Sequence, residues 1–423
     1  MHDEKHNGWQ YDKIEHWPPL TCRTCSVPTP EALAIFTNFL KTENPTYQNK
    51  ELQPWIPFCD SKCAFCYFPV NCEKQIVDSY LEALKKALAF YAKNRYVQSS
   101  VFNELYVGGG SPTILSRDQI VGILQFCRET FNLTEDCDTK FTACTNHLSE
   151  EKISALVSSK VDQLDIGIQT FDDSLRKMLT LRDGAENAAQ KLKAVKKHGL
   201  RVSIDLLYNL PSQTTEQWKN DVKRALELDV ESVDCYPLDL YPDTLLAHRI
   251  AAGELPPTDD GAKEMEMYTE AYSIFKENGY LPTCHNRFSR IKKDFEMPSS
   301  EVVGSGAGFF MGHLGNHLYS DIEDVKDYIA AVHNSAFPIG RLAVLSQEEK
   351  MRKAMMLIYI RVPVDREKFK VQFGQFPEEA FPDALQKLHQ KGLIETVNNK
   401  IRLTEKGDPW RVNIAWEFFK PAK

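Results

Sequence analysis

From about residue 52 the chain alternates strand-like and helix-like patterns, and this alternation restricts the possible fold more than any other feature. The strand candidates are Trp55–Phe58, Glu104–Val107, Lys140–Ala143, Gln163–Ile168, Arg201–Leu206 and Ser232–Tyr236. Helix patterns near Gln75–Tyr96, Arg117–Phe131, Ser149–Ser158, Ala188–His198 and Thr215–Leu228 lie between them. Strands separated by helices form βαβ units and a parallel sheet, because parallel neighbours need a long crossover. Six such units are too few for the common eight-fold barrel. The expected fold is therefore α/β, an open, partial (β/α)6 barrel with its chemistry at the C-terminal ends of the strands.

The flanks read differently. Residues 1–50 carry Pro18, Pro19, Pro28 and Pro30 without a long periodic pattern, which predicts an extended lead-in with a short helix near Pro30–Leu40. The barrel is expected over 51–310, closed by Gly304–Gly308 and the apolar Phe309, Phe310 and Met311. The tail, 311–423, reads as a smaller α+β domain of winged-helix type. Glu348–Tyr359 and Phe381–Lys391 look helical, and Gly392–Lys406 resembles a two-strand wing ending at Gly407. A wing often binds DNA, but here nothing concentrates aromatic and basic groups, and the net charge is −8. No nucleic-acid or membrane partner is expected. The polar, acidic N-terminus lacks the basic-then-apolar pattern of a signal peptide, so the chain reads as cytoplasmic. In a reducing cytosol its eleven cysteines read as ligands, catalytic groups or small hydrophobes before disulfides.

Their distribution is the informative part. Trp55-Ile-Pro-Phe-Cys59-Asp-Ser-Lys-Cys63-Ala-Phe-Cys66-Tyr-Phe-Pro directly follows the first strand of the parallel series. Three thiolates on a short loop can hold three irons of a [4Fe–4S] cubane and leave the fourth iron open. Phe65 and Phe68 would help keep such a cluster dry. The residues alone also allow a structural zinc site or three unrelated thiols. Structural zinc takes four protein ligands, usually in separated pairs, and no clean second pair follows. Cys22 and Cys25 form a close pair upstream, but two ligands in a proline-rich segment make a poor metal site. Cys72 is wrongly spaced for a fourth ligand of the usual kind.

An ordered series of further motifs accompanies that loop. It comprises Gly108-Gly-Gly-Ser-Pro-Thr113, Gly167-Ile-Gln-Thr-Phe-Asp172, Arg182, Asp205-Leu-Leu-Tyr-Asn-Leu-Pro211, Tyr236-Pro-Leu-Asp-Leu-Tyr241 and Leu403-Thr-Glu-Lys-Gly407. Over roughly residues 52–420 the chain thereby resembles the radical S-adenosylmethionine (SAM) enzymes similar to oxygen-independent coproporphyrinogen III oxidase. The resemblance implies that Cys59, Cys63 and Cys66 hold a [4Fe–4S] cluster as its metal ligands and catalytic centre. The open iron would chelate the amino and carboxylate groups of SAM. One electron from a partner such as flavodoxin or ferredoxin would then release a 5′-deoxyadenosyl radical. It further implies SAM contacts at Gly108, Gly109, Gly110, Ser111, Asn146, Gln169, Arg182 and Asp205. The glycines fit because a missing side chain lets the backbone approach a ligand. Arg182 fits as a planar fork for a carboxylate. Asp205, at the end of an apolar strand, fits as a charge in need of a partner.

The departures shape the functional expectation. The oxidase has a further cysteine where this chain has Phe68, and its Tyr-x-His is replaced by Gln53-Pro-Trp55. The Glu-x-Asn-Pro of relatives is Cys144-Thr-Asn146-His147 here. These changes point away from coproporphyrinogen oxidation. The expected reaction is methylation or cyclopropanation of an sp² carbon in a small molecule, with one or two SAM molecules bound. The alternatives within the same branch are anaerobic heme or porphyrin modification by ring opening, and heme trafficking. Tyr236, Tyr241, His285 and Trp410 are candidates to line the pocket, each also readable as ordinary packing.

Overall fold

The structure, a computed structural model, describes residues 9–20, 25–44, 50–258, 261–284, 286–291 and 301–420. Cys22 and His285 lie outside the described residues. The parallel core is built from β1 (Lys50–Ile56), β2 (Phe102–Gly109), β3 (Leu133–Ala143), β4 (Gln163–Gln169), β5 (Arg201–Tyr208) and β6 (Ser232–Pro237), hydrogen-bonded in that order. The helices Val77–Ala92, Arg117–Thr130, Glu150–Ser158, Ala185–Lys197 and Thr215–Glu227 make the crossovers. Their starts are written locally. Ser116 with Gln119 and Thr214 with Gln217 form reciprocal capping boxes that satisfy otherwise orphaned N–H groups.

The sheet is wider than the expected six strands. On one side β6 pairs with β8 (Arg287–Ser289) and then β7 (Leu281–Thr283). On the other, β9 (Glu301–Ser305) joins β1 in parallel and is followed by β10 (Gly312–Leu314), β11 (His317–Asp321) and β12 (Ile339–Val344). The large sheet thus continues beyond residue 310, as far as Val344. The twelve strands run in linear order, so the sheet is open.

Strand β1 begins at Lys50, five residues before the expected Trp55. The apolar pattern does not announce it, because Lys50, Glu51 and Gln53 interrupt the run and Pro54 cannot donate to a ladder. Burial between β9 and β2 overrides both signals, and all of its residues are buried.

Side chains alternate along each strand. One face carries Leu52, Leu105, Val107, Phe141, Ile166, Val202 and Ile204, packed with helix residues such as Leu84, Leu124 and Val222 in one continuous core. The other face carries Glu51, Glu104, Lys140, Asp165, Asp205 and Asp234, whose charges act on one another across the strands. The oxygens of Glu51 are buried without a hydrogen-bond partner, and burial pushes its pKa well up, which favours the neutral acid.

The tail forms its own three-stranded antiparallel sheet from β13 (Val364–Asp365), β14 (Ile394–Val397) and β15 (Lys400–Leu403). β14 and β15 are the expected wing. Helices Gln347–Met355, Pro382–Gln390 and Arg411–Glu417 pack over it through Met355, Leu385, Leu388 and Ile414. Among the described residues no helix is long and apolar enough to cross a membrane.

A buried ionic knot joins the tail to the barrel. Arg361 Nε donates to Asp408 Oδ1 at 2.7 Å, and its Nη2 donates to Tyr268 Oη at 3.0 Å on the helix Ala262–Glu277. Its Nη1 reaches the Thr283 carbonyl at 3.2 Å. Burial alone would raise the Asp408 pKa, yet Arg361 and Arg411 hold it below the usual carboxylate range. Replacing Arg361 with Met strands that carboxylate in a dry place, which costs about 3–5 kcal/mol. A urea titration of Arg361→Met should show a lower midpoint with an unchanged slope.

Candidate functional site

The loop that bears the three cysteines leaves β1 at the C-terminal mouth of the barrel. It is closed at its base by a bridge between Phe58 and Asn71, with Cys59 N–H donating to the Asn71 carbonyl at 3.0 Å. Farther out, Ala64 N–H donates to the Leu179 carbonyl at 3.0 Å, and the Ala64 carbonyl accepts from Leu246 N–H at 2.8 Å. Ala64 is fully buried with Leu175, Leu207 and Leu246, so it anchors the middle of the loop. Cys66 N–H closes a turn onto the Cys63 carbonyl at 3.1 Å. Burial thus fixes the positions of the cysteines before any ligand arrives.

The glycine turn after β2 lies directly against this loop. Gly110 N–H donates to the Ile56 carbonyl and Ser111 N–H to the Phe58 carbonyl, each at 2.8 Å. Gly109 adopts φ 123°, a left-handed conformation that strongly favours glycine. A Cβ at Gly110 would lie 2.7 Å from the Phe58 carbonyl oxygen and 2.9 Å from Cys59 Sγ. Gly108 underlies the Trp55 ring, 3.1 Å from where its own Cβ would be. The three glycines therefore hold space open beside the cysteines. Ser111 Oγ sits 3.5 Å from Cys59 Sγ.

The remaining expected residues ring the same mouth. Gln169 ends β4 with φ 67°, and its amide folds back over Gly167, where a Cβ would lie 2.6 Å from Gln169 Nε2. Such a conformation is strained for a residue other than glycine. Asn146 is exposed on the turn after β3. Arg182 Nε donates to Ser61 Oγ at 3.0 Å and Nη2 to the Asp60 carbonyl at 3.2 Å, so its fork faces the cysteine loop. Asp205 does not end its strand as expected, because β5 continues to Tyr208. It sits between Gly167 and Asp234, three residues before the strand ends. Burial, then Asp234 and Asp165, push its carboxyl up to about 8 despite Arg287.

Several neighbours had no signal in the sequence. Asp60 pairs with His147 at 2.6 Å and also contacts Lys74 and Arg182, which hold its pKa below the ordinary range. Tyr67, directly after Cys66, stacks on Phe68 at 4.6 Å and on Tyr241 at 4.5 Å between ring centroids. Trp17 meets the Tyr67 ring edge-on at 5.9 Å. Of the expected pocket residues, Tyr241 joins this stack, Tyr236 is partly exposed at the end of β6, and Trp410 is buried in the core of the tail.

Trp17 belongs to a strap, residues 9–20, that runs over the mouth. His16 Nε2 lies 2.8 Å from Glu264 Oε1, and Nδ1 lies 3.9 Å from Asp239 Oδ1. Trp17 Nε1 donates to Asp239, and Asn413 fastens the strap to the tail through Glu15 N–H and the Lys13 carbonyl. Beneath it is a small cleft lined by His16, Tyr208, Glu264, Tyr268, Asn286 and Arg411.

The donor set is one of soft thiols, open to zinc or to iron. Among the described residues no three His, Cys, Asp or Glu side chains converge tightly enough for a single ion. A zinc ion needs its sulfur ligands about 2.3 Å from one centre. Cysteines on a cubane serve three different irons and stand farther apart. Three neighbouring soft thiols beside a glycine-walled space fit a cubane cluster. Burial pushes the Cys59 and Cys63 thiols up to about 12, so the charge of a bound metal would be needed to ionise them.

Comparison with known proteins agrees with this geometry. Residues 54–225 match the radical SAM superfamily, and residues 345–410 match the HemN C-terminal domain. The chain is 26% identical over 365 residues to the heme chaperone HemW of Bacillus subtilis, covering 83% of this chain and 94% of that one. It is 26% identical over 372 residues to the anaerobilin synthase of Escherichia coli O157:H7, covering 85% and 81%. The solved coproporphyrinogen III oxidase (HemN) of Escherichia coli superposes with a TM-score of 0.81 at 19% identity, covering 97% of this chain and 96% of that one. Residues 54–225 are therefore a radical SAM domain, followed by a HemN C-terminal domain at 345–410. That pair of domains is the arrangement of the proteins similar to oxygen-independent coproporphyrinogen III oxidase, and the radical SAM family uses a [4Fe–4S] cluster and SAM.

Two outcomes test the site. Gly110→Ala forces a Cβ onto Phe58 and Cys59, so iron and sulfide content after reconstitution should fall well below that of the wild type. His16 is held at a pKa of about 9 by Asp239 and Glu264 against the lowering effect of burial. Its folded value lies above the unfolded value of about 6.5. Docking of the strap is therefore fully supported below that pH and weakens as pH rises through 9. Limited proteolysis of the strap should accelerate across that window, and the pH dependence should disappear in His16→Gln.

Proposed function

We propose that this protein is a radical SAM enzyme that acts anaerobically on heme or a related porphyrin macrocycle. One observation carries the reading: Tyr67, the residue after the last cluster cysteine, stacks against Phe68 and Tyr241 and is edged by Trp17. A stack of aromatic rings beside the cysteine loop suits a flat aromatic substrate that extends it. The names of the relatives support it, since they are a heme chaperone, an anaerobilin synthase and coproporphyrinogen oxidases. The carbon transfer expected from the sequence gains no support from these relatives.

In this reading Cys59, Cys63 and Cys66 hold the cluster, which supplies the electron that cleaves SAM. The backbone of Gly108–Gly110 and Ser111 receives the methionine end, with Asn146 and Arg182 at its rim. Gln169 and Asp205 hydrogen-bond the ribose from the barrel side. The raised pKa of Asp205 lets its carboxyl donate as well as accept there. The tail and the strap cover the mouth and keep water from the radical. The reductant is a small electron carrier such as flavodoxin or ferredoxin, and the compartment is the cytoplasm.

A second reading, heme trafficking without radical chemistry, is favoured by the match to the heme chaperone. One experiment separates the two. The reconstituted protein is incubated with heme, SAM and a strong reductant under argon. The enzyme reading expects heme binding, bleaching of the Soret band and 5′-deoxyadenosine formed in step. Stable heme binding without 5′-deoxyadenosine would establish trafficking instead. The absence of heme binding, with SAM still cleaved, would sink both. Tyr67→Leu should weaken heme binding about tenfold, the ~1.4 kcal/mol expected of an aromatic stack.

A further inference from the structure

We propose that Cys144 is a fourth, displaceable ligand of the cluster, closing the open iron until SAM arrives. The inference rests on the assignment of Cys59, Cys63 and Cys66 as the cluster ligands.

The period of the strand places Cys144 at the site. Along β3 the inward positions are Asp138, Lys140 and Thr142, shown by Lys140 facing Glu104 at 3.6 Å and by Thr142 Oγ1 at 2.9 Å from Tyr106 Oη. Cys144 follows two residues later with φ −115° and ψ 134°, still extended. The alternation therefore carries its side chain to the same face, one step nearer the mouth. The β3–β4 ladder, continued one residue past Ala143 and Ile166, sets Gly167 opposite Cys144, with Gln169 the next step on that face of β4.

Both ends of the short segment 144–147 are pinned to the cluster region. Cys144 N–H donates to Thr113 Oγ1 at 2.9 Å, at the end of the glycine turn whose Ser111 touches Cys59. His147 pairs with Asp60, the residue after Cys59, at 2.6 Å. The segment can hardly swing away without breaking one of these ties. The Cys144 thiol is close enough for its charge to act on both Cys59 and Cys63. Cys72 also acts on Cys59, but it is exposed outside the base of the loop.

The chemistry is a ligand exchange. An iron left open by three cysteines is the iron most easily lost to oxidants. When Cys144 binds it, a Sγ–Fe bond forms and the thiol proton leaves to solvent. When SAM binds, that bond breaks, the amino and carboxylate groups of SAM take the iron, and the thiolate regains a proton. No electron changes hands. The soft donor suits iron in a cubane, and its displacement makes SAM entry compete with a protein group.

The test is Mössbauer spectroscopy on full-length protein reconstituted with isotopically enriched iron, before and after SAM. Cys144→Ala, the size-conserving Cys144→Ser and the control Cys72→Ala are compared. The wild type and Cys72→Ala should show four sulfur-ligated irons, one of which shifts when SAM is added. In Cys144→Ala the shifted iron should be present before SAM. Brief ferricyanide oxidation should then give several-fold more [3Fe–4S]+ signal than in the wild type, suppressed again by SAM. Cys144→Ser should place an oxygen ligand on that iron. A distinct iron already present in wild type before SAM, and unchanged in Cys144→Ala, overturns the inference and leaves the cluster assignment intact. Failure of the wild type to assemble any four-iron cluster overturns both.

Discussion

The burial of β1 on both faces, between β9 and β2, is the constraint from which the site follows. A strand sealed this way cannot slip by one residue, because a slip would exchange Leu52 and Ile56 with Glu51 and Gln53 across the sheet. The ladder to β2 fixes Trp55 opposite Gly108 and Ile56 opposite Gly109. The cysteine loop and the glycine turn therefore leave adjacent strands at the same height. Their closeness is a property of strand register before it is a property of any ligand.

The polar inner face carries a physical cost that the fold distributes. Glu51 lacks a hydrogen bond, whereas Lys140 is shared between Glu104 and Asp138, and Arg287 answers Asp234 at 2.7 Å. Buried charges are expensive unless paired, so Glu51 is driven towards its neutral form. The result is a barrel whose interior changes along its axis. Charged side chains fill the middle, while glycine, sulfur and amide groups occupy the mouth. A strongly polar cofactor and a flat apolar substrate would each find a matching zone there.

Cover for that mouth comes from remote parts of the chain. The tail is locked to the barrel through Arg361, Asp408 and Tyr268. The strap then bridges both bodies, with His16 and Trp17 on barrel carboxylates and Asn413 holding it from the tail. Access to the aromatic wall around Tyr67 is thus governed by residues almost four hundred positions apart, as Glu15 and Asn413 are. That arrangement ties the cover of the mouth to the barrel and to the tail at once.

Local patterns were sufficient for much of this molecule. The β–α alternation determined a parallel sheet, because only helical crossovers join parallel strands at those spacings. The cysteine spacing determined a soft-ligand loop, and the wing at 392–406 was legible from its turn and alternation. Tertiary structure alone decided the start of β1, where burial outweighs a proline and three polar residues. It also decided that Asp205 lies within its strand and not at the end, that β10–β12 extend the large sheet, and that Trp17, Tyr67 and Tyr241 meet. These outcomes depend on contacts between segments far apart in the chain, to which periodicity and spacing are blind.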